Sequence, residues 1–493
     1  RYDFAVYGLL AVEIGATFFP QSSKELQLVN SFGVYLAAFV MRPIGAILFG
    51  EIGDRIVGRK HALVFSILLI TIPSILMGVL PGYDTWGWVS PILLVLLRMM
   101  QGLSVGGQLA GSYVLSIEQS SAKSRGFRGS VCDASSVGGF LLASLVTSCV
   151  RFSCTAEQVD AWAWRLPFLF SLLLAPILYH VVSQTEESKF WSERNDQKEI
   201  EDQIREVEIG DNSQPAIFDL MASPFRRRQL AGMVGLLSAT TSTFYILFLW
   251  TPVYLSELKG HMSQAHADSM NFMVVATYIV FLLGFGRISD TFPHRKDLMC
   301  IGLPGIIVAC PVMFSMFESE SWWGYFLGQV LLAFCLAMVN GGMAALEVEM
   351  WMSDPTLSFT GVAVGHNLAA TLFGGTMPLV ATALYYKSVD LVNVDEMYPD
   401  FFNTLIPKML PGFYISLLGL LSMICIGFVV KHPHDVRTGG PQLQAAVKEE
   451  NRKFKAKALK ARKKKRKNME VQLQNMNGNL DGSDYLPPTV TVS

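Results

Sequence analysis

The residues of this chain that could do chemistry are ionisable and polar groups set inside strongly apolar stretches. Asp3, Tyr7, Glu13 and Thr17 recur at roughly helical spacing in the first stretch and so share one helix face. Arg42 and Arg98 are the two basic residues well inside apolar runs. Around Arg98, the residues Gln101, Val105, Gln108 and Ser112 continue one stripe, with Arg98 and Gln108 roughly 15 Å apart along a helix axis. Asp133 stands just inside another run, and Asn340, His366 and Asn367 fall in the final third of the chain. A carboxylate held away from water can carry a proton, an imidazole titrates near neutrality, and a guanidinium offers a planar fork that fits a carboxylate. Such groups are costly in hydrocarbon, so each is a functional candidate by default.

Each candidate also has a plainer reading. Glu13 fits a structural ion pair as well as it fits a proton carrier. Arg98 fits a ligand for a carboxylate, a partner that cycles with Asp3, or a permanent ion pair; we read Arg98 as functional and Arg42 as structural. Asp133 fits a relay or a salt bridge to Arg98 or Arg42. His366 is read first as a satisfied packing histidine. Thr241, Thr243, Tyr245, Trp250, Asn271 and Tyr278 are polar and aromatic groups that could complete a cavity.

The elements that must position these groups are long helices. The chain has 493 residues, 51% hydrophobic and only 16% charged, against about a quarter charged in soluble proteins. Its apolar runs approach the roughly 20 residues needed to cross a bilayer. Twelve candidate spans lie near 3–20, 29–49, 61–81, 89–117, 129–150, 165–183, 229–254, 270–288, 298–317, 322–347, 358–386 and 411–430. The fold class is therefore an all-α membrane protein. The seven cysteines are scattered and lack metal-ligand spacing, and no phosphate-cradling loop is present. A start at Arg1, directly before an apolar run, reads as a trimmed terminus.

The chain also repeats itself. The charged hairpin from Gly50 to Lys60, with Gly53, Asp54, Arg55 and Arg59, returns from Gly286 to Lys296, 236 residues later. Gly106-Gly107 and Gly341-Gly342 match at a shift of 235, and Gly138-Gly139 and Gly374-Gly375 at 236. Three matches in order imply two copies of one unit. The expected organisation is a six-helix half at 1–183, a central loop at 184–228, a second half at 229–430 and a tail at 431–493. A surface helix is expected within 186–208, and the glycine pairs should allow close helix approach.

Charge asymmetry sets the orientation. By loop parity one side carries thirty Lys and Arg and the other six, which puts both termini and the central loop in the cytoplasm. The tail holds fourteen Lys and Arg against six acids, including KARKKKRK at 460–467. An anionic lipid surface fits it better than nucleic acid, with a plain solvated tail as the alternative. Asp54, Arg55, Arg59, Glu118, Arg125, Arg128, Asp290, Glu347 and Glu349 lie at the same ends of their spans. Together they read as an inter-helix latch.

Two parallel six-helix halves joined by a cytoplasmic loop describe one transporter architecture. Here the chain resembles the major facilitator superfamily, and within it the metabolite:proton symporters, the group of the proline/betaine, α-ketoglutarate and shikimate transporters. The residues that carry the resemblance include Tyr2-Asp3-Phe4, Tyr7-Gly8, Arg42-Pro43-x-Gly45, Gly53-Asp54-Arg55 and Gly58-Arg59-Lys60. They continue through Gln101-Gly102-x-Ser104-x-Gly106-Gly107, Arg125-Gly126-Phe127, Trp164-Arg165-x-Pro167-Phe168, Ser289-Asp290, and Asn367 with Gly374-Gly375. The match covers about residues 2–430. It implies twelve transmembrane helices in two repeats and proton-coupled symport of a small solute by alternating access. A proline- or betaine-type osmolyte or a small carboxylate is the implied solute, with no cofactor beyond the proton, a monomer as the working unit, and a plasma-membrane location.

Three departures qualify that expectation. Ile56-Val57 lengthens the first hairpin by one residue. Pro293-His294 stands where the second hairpin should hold a glycine. Gln108 replaces a glutamate and cannot change charge, so Glu13 is the candidate to take over that role. An uncoupled facilitator and a transporter-like nutrient sensor are the competing readings; an enzyme is not expected.

Overall fold

A computed structural model describes residues 1–51, 59–118, 120–121, 123–184, 216–351, 358–392 and 409–430. In a bilayer every backbone N–H and C=O must find a partner within the protein, and the chain meets this with helices. Among the described residues twelve helical rods carry the fold. In the first half they are α1 (Tyr2–Leu9 and Ala11–Phe18), α2 (Lys24–Glu51), α3 (Arg59–Val79), α4 (Val89–Glu118), α5 (Arg125–Ser153) and α6 (Ser171–Gln184). The second half begins with α7, which runs from Pro224–Tyr245 through wider π turns at Ile246–Trp250 and Tyr254–Leu258. There follow α8 (Gln264–Ser289), α9 (Arg295–Phe317) and α10 (Trp322–Trp351). The last two are α11 (Ser358–Ala369, a π turn at Ala370–Gly375, then Met377–Val392) and α12 (Leu410–Val430).

Among the described residues nine helices are long and apolar enough to span a membrane by length and composition. α1 bends at Leu10, whose ψ of 21° interrupts the helix. Pro73 lies within α3 and Pro176 within α6. α5 extends past the expected boundary at 150, so Arg151 belongs to its last turn and not to the loop that follows.

The hairpin end of the bundle is where α3, α5 and α9 begin. Trp86, Trp88, Trp162, Trp322 and Trp323 are exposed near the opposite end, where an interfacial belt suits amphipathic rings. Within the first half, α2 and α4 meet backbone to backbone. A Cβ added at Gly102 would lie 1.8 Å from the Ala38 carbonyl oxygen, and one at Gly106 would lie 2.1 Å from that of Arg42. The expected close approach does not extend to Gly138, which has open space around it. Between the halves, α5 packs along α8 and α2 along α11. These two seams are equivalents under the repeat, because α2 corresponds to α8 and α5 to α11.

The second hairpin turns without a left-handed residue, which is why Pro293-His294 can replace glycine. Asp54, Arg55, the 186–208 segment and the tail lie outside the described residues, as do the side chains of Arg59 and Glu118.

Candidate functional site

The α4 stripe builds a polar core wrapped in aromatic rings. Arg98 is fully buried; its Nη1 donates to Gln101 Oε1 at 2.6 Å, and Gln101 Nε2 donates to Ser74 Oγ at 2.6 Å. The guanidinium carbon lies 4.1 Å from the Tyr7 ring centroid, 4.7 Å from Phe4 and 5.3 Å from Tyr35. Among the described residues Arg98 Nε and Nη2 have no hydrogen-bond partner. Tyr7 is held by its hydroxyl, which donates to the Ser31 carbonyl at 3.2 Å. The expected partners of Arg98 are engaged elsewhere. Asp3 accepts from Ser171 Oγ at 2.8 Å, and Asp133 accepts from Tyr113 Oη at 2.9 Å. Ring faces, and not a carboxylate, surround this cation; desolvated cation–π contacts of this kind contribute about 2 kcal/mol or more.

A small cavity of about 50 Å³ lies between the halves. Arg42, Tyr113 and Asp133 line it from the first half, and Tyr245, Asn340, Glu347 and His366 from the second. Arg42, expected to be structural, faces this cavity. Its guanidinium sits 4.8 Å from the Phe39 ring centroid, and its Nε has no hydrogen-bond partner among the described residues. Across the cavity His366 Nδ1 lies 3.1 Å from Glu347 Oε2, and the His366 ring stands edge-on to Tyr113 at 6.0 Å. Asn340 Nδ2 donates to Tyr278 Oη at 2.9 Å. The first half thus offers a cation, a ring and an acid, and the second an acid–imidazole pair and a further ring.

The structure brings Arg42, Asp133, Asn340 and His366 together at this cavity. Asp3, Tyr7, Glu13 and Arg98 do not line it, and neither do the half-buried Gln108 or Asn367, whose Nδ2 donates to the Gly106 carbonyl across the α4–α11 seam. Tyr113 was missed altogether, and Glu347 was read as part of the latch. The Glu347–His366 pair joins two helices with no local spacing to reveal it.

Polar clamps join the halves toward both ends of α5. At the hairpin end, Asp290 accepts from the backbone N–H groups of Gly126 and Phe127, each at 2.9 Å. Arg295 binds Asp290 at 3.0 Å and Glu349 at 2.9 Å, and Arg125 reaches Glu349 at 3.7 Å. The expected latch residues Arg125, Asp290 and Glu349 do meet, around an arginine that sequence reading did not single out, while Arg128 is exposed. Toward the opposite end Arg151 holds two carboxylates. Its Nη2 donates to Glu13 Oε1 at 2.6 Å and to the Leu9 carbonyl at 3.0 Å, and its Nη1 pairs with Asp268. Glu13 is thus in an ion triad, remote from Gln108 and from the cavity lining.

Comparison with known proteins agrees with this architecture. Residues 1–392 match the family model described as sugar (and other) transporter. The proline/betaine transporter of Salmonella typhimurium is 29% identical over 423 residues, covering 86% of this chain and 79% of that protein. A putative proline/betaine transporter of Staphylococcus haemolyticus is 29% identical over 451 residues, covering 90% and 86%. Among solved structures, the D-xylose-proton symporter superposes with a TM-score of 0.63 at 17% identity, over 88% of this chain and 95% of that one. The partially occluded, inward-open xylose transporter XylE from E. coli gives 0.60 at 18%, over 88% and 94%. At those identities the structural likeness speaks for the fold. The chain belongs to the sugar (and other) transporter family of the major facilitator superfamily: it is a multi-pass membrane transporter of a small-molecule solute, and not an enzyme.

Proposed function

We propose that the protein is a proton-coupled importer of a small zwitterionic organic solute, of the proline or betaine kind, working by alternating access. The observation that carries this reading is the split character of the cavity. Arg42 suits a carboxylate, and the Tyr245 and Tyr113 rings with Asp133 and Glu347 suit a cationic nitrogen. The relatives named as proline/betaine transporters support the same solute class. In this reading the transported proton rides on the Asp133, Glu347 and His366 group. Gln108 then need not titrate, and Arg98 positions the rings beneath the site. The six-helix halves are 1–183 and 229–430, joined by a cytoplasmic loop at 184–228. Both termini and the hairpin end face the cytoplasm of a plasma-membrane protein, and the tail at 431–493 rests on anionic lipid.

The test is uptake into proteoliposomes with and without an inward proton gradient, with labelled betaine, proline, α-ketoglutarate, shikimate and glucose in parallel. Betaine or proline should accumulate against its gradient and cease to do so with a protonophore. Equilibration that ignores the proton gradient would establish the competing facilitator, which Gln108 favours. A small carboxylate taken up in place of betaine or proline would retain the coupling but reject the zwitterion.

A further inference from the structure

The Arg151 triad contains two acids and one base. With every group ionised it carries one net negative charge, and one bound proton makes it neutral. Its side chains are 5% (Arg151), 1% (Glu13) and 2% (Asp268) exposed, so water does little to screen that imbalance. Two further atoms mark the site as incomplete: Glu13 Oε2 and Arg151 Nε are buried without a hydrogen-bond partner among the described residues. Glu13 and Arg151 belong to the first half, on α1 and α5, while Asp268 belongs to the second, on α8. Any motion that parts α5 from α8 at this end pulls Asp268 off the guanidinium and lets water reach both acids.

The remaining groups packed around the triad do not correct its charge. On α5, Ser148 Oγ faces Ser269 Oγ of α8 at 3.5 Å, and Ser144 Oγ accepts from Asn271 Nδ2 at 2.9 Å. His266 of α8 is exposed; its Nδ1 meets Ser263 Oγ, and its ring stands 5.7 Å from Phe152. Glu257, near the end of α7, accepts from Gln264. Among the described residues no second cation joins Arg151.

We infer that this triad is a proton-binding site, and that closing the outer end takes up one proton from the external medium onto the Glu13–Asp268 pair. Opening returns that proton to the same side. The site therefore makes the outer gate respond to external pH independently of the proton that travels with the solute. This rests on the orientation given above, but not on the solute or on coupling. Since the closed state binds one proton more than the open state, acid favours closure, and the open-to-closed ratio rises at most tenfold per pH unit.

The test is the labelling rate of Ser144→Cys, with the seven native cysteines replaced, by a membrane-impermeant maleimide applied to intact cells at external pH 5 to 8. Ser144 is buried two turns inward of Arg151 and is reached only when α5 and α8 part. Rates are divided by those of Asp160→Cys, an exposed position in the polar connection after α5, which corrects for thiol ionisation. The expected result is a normalised rate that rises steeply with pH, approaching tenfold per unit. It should lose that slope when Asp268→Asn or Glu13→Gln is added. A flat profile in the parent, no labelling at any pH, or a slope that survives in both acid variants would overturn the proposal. Because no solute is needed, uptake that proved uncoupled would leave this result standing.

Discussion

The two clamps that join the halves are built from similar parts and balanced differently. At the hairpin end two acids, Asp290 and Glu349, meet two guanidiniums, Arg295 and Arg125, and Asp290 also takes two backbone N–H groups from the first turn of α5. The positive end of that helix adds a fixed partial charge. At the opposite end, Glu13 and Asp268 share the single guanidinium of Arg151. Permanent charges hold the first clamp, so it has no need of a proton. The second is complete only when one is bound. The same seam between α5 and α8 therefore has one end indifferent to pH and one end sensitive to it.

That contrast can be broken by substitution. Arg295→Gln should have the largest effect, because it takes away the cation that binds both buried acids; removing one partner of a buried ion pair costs about 3–5 kcal/mol. Arg151→Gln should fall in the same range, and both are read as a lowered unfolding midpoint in detergent. Replacing the acids separates the clamps. Asp290→Asn should cost about 2 kcal/mol, near the value of a charged hydrogen bond, whereas Asp268→Asn should cost under about 1 kcal/mol, because it leaves Glu13 and Arg151 as a balanced pair. Equal losses for these two amides would erase the distinction. Next is Arg42→Gln, which should weaken solute binding by about 10- to 100-fold, the equivalent of one charged hydrogen bond, in a direct binding assay. On transport itself, the smaller effect belongs to Tyr113→Phe. Losing its bond to Asp133 is worth about 1 kcal/mol, or about fivefold in proton-driven uptake.

Much of the architecture was legible in the sequence because length and hydropathy are local properties. Runs near twenty residues give the rods, and the repeated hairpin and glycine pairs give the two halves. What was not legible depends on contacts between halves. Arg151 reads as a loop residue, because one polar residue at the end of an apolar run looks the same whether it leaves the helix or turns inward to meet Glu13. Glu347 reads as a helix-end acid until α11 brings His366 to 3.1 Å from it. Arg98 was read as needing a carboxylate, since sequence spacing does not show that Phe4, Tyr7 and Tyr35 come from two other helices to enclose it. The hairpin-end latch was the easier case, because its charges recur at equivalent positions in both halves.

The backbone contact between α2 and α4 has a mechanical consequence. Where a carbonyl oxygen occupies the space a Cβ would need, at Gly102 and again at Gly106, neither helix can slide along the other or roll away without opening a gap in the lipid-free interior. The two helices act as one stiff plate. Arg42, facing the cavity, and Arg98, beneath the rings, are fixed to that plate at constant separation. Whatever rocking brings the cavity to one side of the membrane or the other, this pair of positive charges travels as a single unit, and the groups on α5, α10 and α11 move relative to it.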